Sequence, residues 1–334
     1  MDAVPGGAIW VRFPRYIGDG IMIHRALEPL RAAGHILVAW GPPPVMELFQ
    51  GTACYGATVP DPPERPGAWA MAKILRAHSC TGVISLARSQ RAAFAALLGR
   101  IPLRIGWREG GGALLCSHAL AFKTLGGHQQ DRYARLLRKA FPDLPDAPFV
   151  PFRPREAARA EAERLLAGLP GPFVALALGA ASPAKRVAPA VWKELCGLLL
   201  AQGRSIVLLG AGREDEACAA AVRAGVPGAL DLTGKASLSV AAEVIRASEG
   251  LVGNDSALCH LAAACGMPTV VAFGPTAAGV TIPQGAWVRA VHAPGVPCLG
   301  CLRQVCPLPA HPCMNDLRAA DLAAALEDAR PARS

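Results

Sequence analysis

The chain of 334 residues lacks any long apolar run, although 52% of its residues are hydrophobic. No stretch reaches the roughly 18 apolar residues that a membrane-spanning helix needs, which argues against a helical membrane protein. The first residues also show no basic segment followed by an apolar export signal, because Arg12 and Pro14 interrupt the apolar run of residues 9–13. We therefore expect a cytoplasmic protein.

Charged residues make up only 18% of the chain, and it has no internal repeat, low-complexity tract, nucleic-acid-binding module or clean GxGxxG fingerprint. This composition fits a globular enzyme with two cores of ordinary domain size. Residues 1–150 carry 17 basic and 10 acidic side chains, whereas the remainder carries 17 and 15. The basic half indicates either an acidic partner, such as a phosphorylated substrate, an anionic membrane surface or nucleic acid, or only a solvated surface.

Short apolar runs alternate with helix-like segments along the chain, which is typical of an α/β fold. A proline-rich stretch interrupts this alternation, and an amphipathic helix follows it at residues 155–167. We place a domain boundary there, which gives domains 1–150 and 151–334. The predicted strands are residues 8–13, 35–40, 82–87, 104–107, 173–178, 205–209, 250–253 and 269–273.

The polar turn of Asn254, Asp255 and Ser256 is the most informative feature of the second domain. It lies between a predicted strand and a helix, so Asp255 and Ser256 come together with the first free N–H groups of that helix. A phosphate group would fit there, although an Asp-Ser turn is equally often a simple helix cap.

Two further loops follow predicted strands in the same way. Residues 14–20 are predicted to be a glycine-rich turn before a helix that begins near Ile21. In residues 178–192, a Gly-Ala-Ala-Ser turn precedes the adjacent cations Lys185 and Arg186. This arrangement suits a diphosphate, or it is a surface loop with a basic pair. We expect it at the same sheet edge as Asp255, which is where open α/β sheets bind ligands.

Four segments resemble glycosyltransferase family 9, the heptosyltransferases of lipopolysaccharide synthesis, and most closely the heptosyltransferase II branch. Residues 13–19 resemble that branch's opening Trp-Ile-Gly-Asp loop, and residues 99–107 resemble its Gly-Ile-Pro-x-Arg-x-Gly-Trp segment. Residues 182–186 are similar to its Gly-Pro-Ala-Lys-Arg loop, and residues 254–275 to its Asn-Asp-Ser-Gly-Leu-x-His through Gly-Pro run. The order and spacing of the segments match as well.

The resemblance implies a GT-B fold, in which two Rossmann-like domains face each other across a cleft. It assigns the acceptor to domain 1–150 and an ADP-activated heptose to domain 151–334. Asp19 matches the family's catalytic base and Lys185 its diphosphate-contacting lysine. The donor-binding residues expected on the matching segments are Ser182, Arg186, Asp255, Ser256, Ala257, Leu258 and His260. Glu214, after the turn of residues 208–212, matches the acidic residue that the family places near the nucleotide ribose.

The chemistry of transfer requires these residue types. A carboxylate at Asp19 would take the proton of the acceptor hydroxyl, although Asp19 could instead be only a helix cap. Lys185 and the helix N-terminus would stabilise the leaving diphosphate without a metal ion, and a single displacement would invert the anomeric centre.

The expected acceptor is the phosphorylated core of lipid A, reached at the inner face of the cytoplasmic membrane. Arg15, Arg88 and Arg108 are the candidate residues that bind it. We expect peripheral contact with that anionic membrane and no nucleic-acid partner.

Some residues depart from the family pattern. Ala257 stands where the family usually has glycine, and Gly20 and Arg25 replace an apolar residue and a proline of the first helix. Arg88 takes the place of an asparagine. These changes affect the identity of the acceptor more than the type of reaction.

The eleven cysteines fall into two groups. Seven are scattered in apolar or helical surroundings and are expected to be reduced core residues. The other four form a close cluster with the spacing C-x2-C-x4-C-x6-C, which allows a structural zinc ion, an iron–sulfur cluster, disulfides or free thiols. These four are Cys298, Cys301, Cys306 and Cys313. An amphipathic helix capped by Asn315 or Asp316 is predicted after them, at residues 317–329.

Three classes of function remain open. The first is an inverting heptosyltransferase or a close relative that uses another sugar nucleotide. The second is a sugar-nucleotide epimerase on the same scaffold, which would turn over without an acceptor. The third is a degenerate protein that binds a nucleotide sugar or a metal without turnover.

Overall fold

The computed structural model describes residues 6–64, 66–87 and 90–330. The chain divides into two compact units, Met1–Val150 and Pro151–Ser334. Five prolines of the linker predicted from the sequence surround this division: Pro142, Pro145, Pro148, Pro151 and Pro154.

The first unit is built on a six-stranded sheet with the order β3-β2-β1-β4-β5-β6, in which all neighbouring strands are parallel. Its strands are β1 (Ile9–Arg12), β2 (Leu37–Gly41), β3 (Ala57–Pro60), β4 (Gly82–Ser85), β5 (Leu103–Trp107) and β6 (His118–Leu120). Its helices are α1 (Ile17–Ala26), α2 (Glu28–Ala32), α3 (Pro43–Phe49), α4 (Ala68–Ala77), α5 (Gln90–Leu98), α6 (Gly112–Leu115) and α7 (Gln129–Ala140). Short 3-10 helices lie at Glu109–Gly111 and Phe122–Thr124.

The second unit repeats this design with the strand order β12-β11-β10-β7-β8-β9, again with parallel neighbours. Its strands are β7 (Phe173–Ala177), β8 (Ser205–Leu209), β9 (Leu230–Asp231), β10 (Leu251–Asn254), β11 (Thr269–Ala272) and β12 (Val288–Val291). Its helices are α8 (Glu156–Leu166), α9 (Pro189–Ala201), α10 (Arg213–Arg223), α11 (Leu238–Ala247), α12 (Ala257–Ala264), α13 (Ala278–Thr281), α14 (Pro312–Asn315) and α15 (Ala319–Ala329). A 3-10 helix lies at Pro183–Lys185.

Each unit has its own apolar core. In the first, Trp10 and Trp40 meet edge to face at 6.1 Å between ring centroids, on adjacent central strands. In the second, Trp192 of α9 and Leu322 and Leu326 of α15 are buried in one cluster. The central strands are fully buried, as expected where helices cover both faces of a parallel sheet. The α/β class predicted from the sequence is confirmed.

Two predicted helix starts are wrong. Helix α1 begins at Ile17 rather than near Ile21, so the segment predicted to be a glycine-rich turn is largely the first turn of the helix. Glycine lowers helix propensity but does not forbid a helix, and here Gly20 N–H donates to the Tyr16 carbonyl. The terminal helix α15 is capped by Arg318 rather than by Asn315 or Asp316, because those residues end the separate helix α14.

In the described ranges, no helix combines the length and the apolar character that crossing a membrane requires.

Candidate functional site

The strand order gives each unit one switch point, which is a candidate ligand-binding edge. In the first sheet, β1 has β2 on one side and β4 on the other, and in the second, β7 has β8 and β10. At such a switch point the connections leave in opposite directions, which opens a crevice at the carboxyl ends of the strands. Asp19 follows β1, while Lys185 follows β7 and Asp255 follows β10. All three residues therefore lie in segments that follow strands at a switch point.

Lys185 and Asp255 form an ion pair at this edge of the second sheet. The Lys185 Nζ atom lies 2.6 Å from Asp255 Oδ2, and the Thr276 hydroxyl donates to the same oxygen at 2.8 Å. The Asp255 side chain is 6% exposed and that of Lys185 is 21% exposed. The loops after β7, β10 and β11 thus converge on one carboxylate, and the side chain of Lys185 is partly accessible from solvent.

The N-terminus of helix α12 lies next to this pair. Ser256 is the N-cap, but its side chain makes no capping bond, and its buried Oγ has no hydrogen-bond partner among the described residues. Ala257 and Leu258 form the first turn, whose N–H groups have no carbonyl of their own helix to bind. His260 is buried one turn further on. The uncapped helix end offers N–H donors and a positive dipole to an anion.

Asn254, at the end of β10, binds the backbone at both ends of the loop that follows β7. It is fully buried, its Nδ2 donates to the Leu178 carbonyl at 2.7 Å, and its Oδ1 accepts from Val187 N–H at 3.1 Å. Ser182 is buried and caps the 3-10 helix that carries Lys185, with its Oγ accepting from Ala184 N–H at 3.3 Å. The loop that carries Lys185 is therefore held by hydrogen bonds to Asn254 and Ser182.

Arg186, expected to contact the donor, is bound to Asp215. Its guanidinium lies 2.5 Å from Asp215 Oδ1 and also donates to the Ala180 carbonyl, while Asp215 Oδ2 accepts from Ala211 N–H. A Cβ atom at Gly179 would lie 2.3 Å from Asp215 Oδ2, so only glycine allows this approach. No motif in the sequence distinguishes Asp215 from the acidic residues beside it.

Glu214 itself lies in the first turn of α10 and is exposed. The two adjacent carboxylates thus differ sharply in setting. Asp215 is buried and joins the loops after β7 and β8, whereas Glu214 is accessible to a ligand at the carboxyl end of β8. Their different burial could not be deduced from adjacent acidic residues in the sequence.

A cavity of about 460 Å³ opens at the carboxyl edge of the first sheet. The half-buried Asp19 lines it, as do Arg15, Arg91, Trp40 and Tyr133. The cavity has the size of a small-molecule pocket and combines aromatic walls with carboxylate and guanidinium groups. Such a lining suits an anionic saccharide.

Arg12 and Asp61 form a rigid pair in the wall of this cavity. Two guanidinium nitrogens lie 2.5 and 2.7 Å from the two carboxylate oxygens, and the guanidinium lies 4.8 Å from the centroid of the Trp40 ring. Sequence reasoning missed Asp61 because the short, half-exposed strand β3 that precedes it was not recognised. Since Asp61 neutralises Arg12, the cavity-lining arginines without a carboxylate partner in the described part of the chain are Arg15 and Arg91.

The structure brings together only part of the predicted acceptor set. Arg15 lines the cavity, whereas Arg108 is exposed at the start of a 3-10 helix and does not line it. Arg88 lies outside the described residues. At Gly20, a Cβ atom would lie 3.0 Å from Val45, which accounts for the small residue at this position. Arg25 packs over the Phe149 ring instead of lining the cavity.

The four clustered cysteines surround one small cavity of about 160 Å³ in the second unit. Cys313 is buried, Cys298 and Cys306 are half-buried, and Cys301 is exposed. Burial, together with the neighbouring thiols of Cys306, Cys298 and Cys301, raises the pKa of the Cys313 thiol to about 11. All eleven cysteines are free, and as the described side chains stand, no three His, Cys, Asp or Glu residues are placed to hold one ion.

The two parallel-sheet units, each with polar groups at its switch point, define a two-domain α/β protein built to bind ligands at the strand ends. A model of glycosyltransferase family 9 (heptosyltransferase) matches residues 68–311. The chain belongs to this family. The family predicted from the sequence motifs is therefore confirmed, and with it the glycosyltransferase class.

Comparison with individual proteins agrees with the family. Lipooligosaccharide heptosyltransferase 2 of Haemophilus ducreyi is 30% identical over 217 residues, which cover 60% of this chain and 62% of that protein. Among the curated relatives, the matched segments span 30% to 62% of the relatives' own lengths.

Solved structures share the fold over nearly the whole chain. E. coli ADP-heptose LPS heptosyltransferase II gives a TM-score of 0.79 at 22% identity, covering 96% of this chain and 98% of that one. A family 9 glycosyltransferase from Veillonella parvula gives 0.83 at 18% identity, covering 97% of both chains. These likenesses confirm the two-domain fold expected from the resemblance.

Proposed function

We propose that this protein transfers heptose from ADP-heptose to the inner core of lipopolysaccharide, with inversion of the anomeric centre and without a catalytic metal. The observation that carries the proposal is the meeting of Lys185, Asp255 and the uncapped N-terminus of α12 at the switch point of the second sheet. Family membership supplies the reaction class, and matched relatives are named as heptosyltransferases of lipooligosaccharide and lipopolysaccharide.

The donor diphosphate is proposed to bind between Lys185 and the first turn of α12. Expulsion of ADP builds negative charge on the diphosphate, and both groups act on that charge: the ammonium directly, the helix through its N–H groups and dipole. Ser256 Oγ, which lacks a partner among the described residues, is a further donor for a phosphate oxygen. Glu214 is the proposed acceptor of hydrogen bonds from the nucleotide ribose.

Asp19 is the proposed general base. It lies in the first turn of α1 and lines the cavity of the first unit, where an acceptor sugar would sit. As the acceptor hydroxyl attacks the anomeric carbon, the Asp19 carboxylate takes its proton and the bond to the diphosphate breaks. A single displacement of this kind inverts the anomeric centre.

The acceptor is proposed to be the phosphorylated core of lipid A. Arg15 and Arg91 are the cavity arginines available for its anionic groups, since Arg12 is paired with Asp61. The excess of basic residues in 1–150 would favour peripheral contact with an anionic inner membrane, where a lipid-linked acceptor is found. The proposed location is therefore the cytoplasm, at the membrane surface.

The test combines thermal shift and turnover for ADP-heptose, ADP, UDP and other nucleotide sugars, with and without a heptose-bearing lipid A core acceptor. We expect stabilisation by ADP compounds and ADP release only when the acceptor is present. Turnover without an acceptor would indicate an epimerase, and absence of stabilisation by every ADP compound would refute the donor.

The role of Asp19 is tested separately with Asp19→Asn. Loss of a general base lowers turnover by about 10²- to 10⁴-fold, and ADP affinity should stay unchanged because ADP binds the other unit. Near-normal turnover of this variant would remove Asp19 as the base.

A further inference from the structure

The segment that carries the clustered cysteines is unusual for its length. Residues 292–311, between β12 and α14, form neither helix nor strand. Loops beyond about 12–15 residues without secondary structure are uncommon in compact domains. The regular hydrogen bonding of a helix or a sheet therefore does not order this segment.

Apolar burial orders only the start of the segment, where Ala293 and Val296 join the core of the second unit. Beyond them the large apolar side chains are exposed, with Leu302 exposed by 69% and Val305 by 71%. Leu302 and His311 also adopt positive φ angles of 59° and 43°, which L residues take up only when their surroundings impose them. Cys298, Cys301 and Cys306 of this segment instead line one cavity together with Cys313 of α14.

We propose that Cys298, Cys301, Cys306 and Cys313 bind one thiophilic metal ion, zinc or iron, and that the closed loop thereby holds the loops of the donor site. Four thiolates are a ligand set that favours tetrahedral zinc or iron. No three of these thiols converge as they stand, so binding requires them to turn about their Cα–Cβ bonds into the cavity. Arg303 lines the same cavity and offsets the negative charge that four thiolates leave around a divalent ion.

The loop contacts both donor-site segments directly. The Gln304 carbonyl accepts from Ser182 Oγ at 2.8 Å and from Ala184 N–H at 3.3 Å, next to Lys185. His311 Nε2 lies 2.9 Å from the Ala184 carbonyl. His311 is thus already engaged, which leaves the four cysteines as the ligand set.

The second segment is held in the same way. Gly300 N–H donates to the Gly274 carbonyl, and Leu302 N–H donates to that of Pro275, directly before Thr276. A Cβ atom at Gly274 would lie 2.8 Å from Cys313 Sγ, so the two segments pack without a gap. An ion that fixes the loop therefore fixes the groups that position Lys185 and Asp255, an effect that rests on the proposed function of those residues.

The metal site is tested on the full chain, purified under reducing, anaerobic conditions and analysed for metals by mass spectrometry. We expect about one zinc or iron per chain, and visible absorption to identify iron. Cys301→Ser removes the exposed ligand with least disturbance to packing, and should lower the metal content to less than about a tenth. Cys54→Ser, at a half-buried thiol in the other unit, is the matched control and should retain the metal.

Cobalt(II) binding gives a second readout that does not depend on activity. Wild type and Cys54→Ser should show the thiolate charge-transfer and tetrahedral d–d bands of a four-sulfur site, and Cys301→Ser should lose them. A wild type that stays metal-free after incubation with zinc, iron or cobalt would overturn the proposal, as would equal metal content in the two variants.

The effect on the donor site is measured as ADP affinity before and after metal removal by a chelator. A coupling of ordinary size weakens ADP binding by about 5- to 150-fold, reversibly on metal addition. Unchanged affinity would overturn the coupling while leaving the metal site in place. If the metal binds but no ADP compound binds in any state, the proposed donor is wrong rather than the metal site.

Discussion

Replacing a carboxylate by an amide should have different effects at the adjacent residues Asp215 and Glu214. At Asp215 it should lower the free energy of unfolding, and at Glu214 it should lower the affinity for the nucleotide. Asp215 accepts from Arg186 and from Ala211 N–H, and its side chain is only 6% exposed. Removing one partner of a buried pair costs about 3–5 kcal/mol, but Arg186 is 26% exposed, so we expect about 2 kcal/mol for Asp215→Asn. Asp215→Ala also strands the Ala211 N–H and should cost about 3 kcal/mol.

Glu214→Gln is the matched control, because it makes the same carboxylate-to-amide change one residue away. Glu214 is exposed in the first turn of α10. The substitution should therefore lower the free energy of unfolding by only about 0.5 kcal/mol, the contribution of a charge near the helix dipole. If Glu214 binds the ribose, loss of a charge-assisted bond of about 1.5–3 kcal/mol weakens donor binding by about tenfold or more.

Urea denaturation followed by circular dichroism gives the free energies of unfolding, and calorimetric titration with ADP, well below the unfolding transition, gives the affinities. The expected result separates the pair: Asp215→Asn lowers stability, and Glu214→Gln lowers affinity. An Asp215→Asn variant as stable as wild type would refute the role of Asp215 in joining the loops after β7 and β8. A large stability loss in Glu214→Gln would refute the assignment of Glu214 to the surface.

Three further predictions concern single residues. Burial, with the charges of Arg31 and Arg25, holds the pKa of His24 well below its usual value, so the unfolded chain binds a proton that the folded one does not. Stability should be full above about pH 6.5 and fall by up to about 1.4 kcal/mol per pH unit below it, and urea titrations of His24→Gln should lose this slope. Asn254→Ala strands two buried backbone partners and should cost about 2–4 kcal/mol in the same assay; a cost below about 1 kcal/mol would contradict its bridging role. Lys185→Ala should weaken ADP binding in calorimetry by about tenfold or more, while Lys193→Ala on α9 should not, and equal affinities would argue against the diphosphate site.

Much of the fold could be predicted from local pattern. The buried strands β7, β8, β10 and β11 are continuous apolar runs, and their limits differ from the prediction by at most one residue. Strands β3, β6, β9 and β12 were missed because they are short or partly exposed and lack an apolar run that stands out. The start of α1 was missed because Gly18 and Gly20 suggest a turn, whereas tertiary packing keeps them helical.

The candidate site was predictable where a motif fixes the backbone, as at Asp255 and Ser256 after β10. The site was not predictable where a side chain forms an ion pair with a residue far away in the sequence. Arg186 looks available in the sequence, but Asp215 occupies it, and Arg12 is occupied by Asp61 in the same way. Such pairings depend on which strand ends are neighbours, and local sequence does not determine the order of strands in a sheet.

The ion pair between Lys185 and Asp255 has a consequence for the timing of a catalytic cycle. In the proposed donor site, an entering diphosphate would have to draw the ammonium group away from a carboxylate 2.6 Å distant, so the energy of the ion pair would reduce the net affinity for the diphosphate. The same carboxylate reclaims the lysine as the anion leaves, with Thr276 keeping it in place. On the proposed function, Asp255 would therefore compete with the product for Lys185 and limit the affinity for ADP, and its removal should slow the departure of ADP.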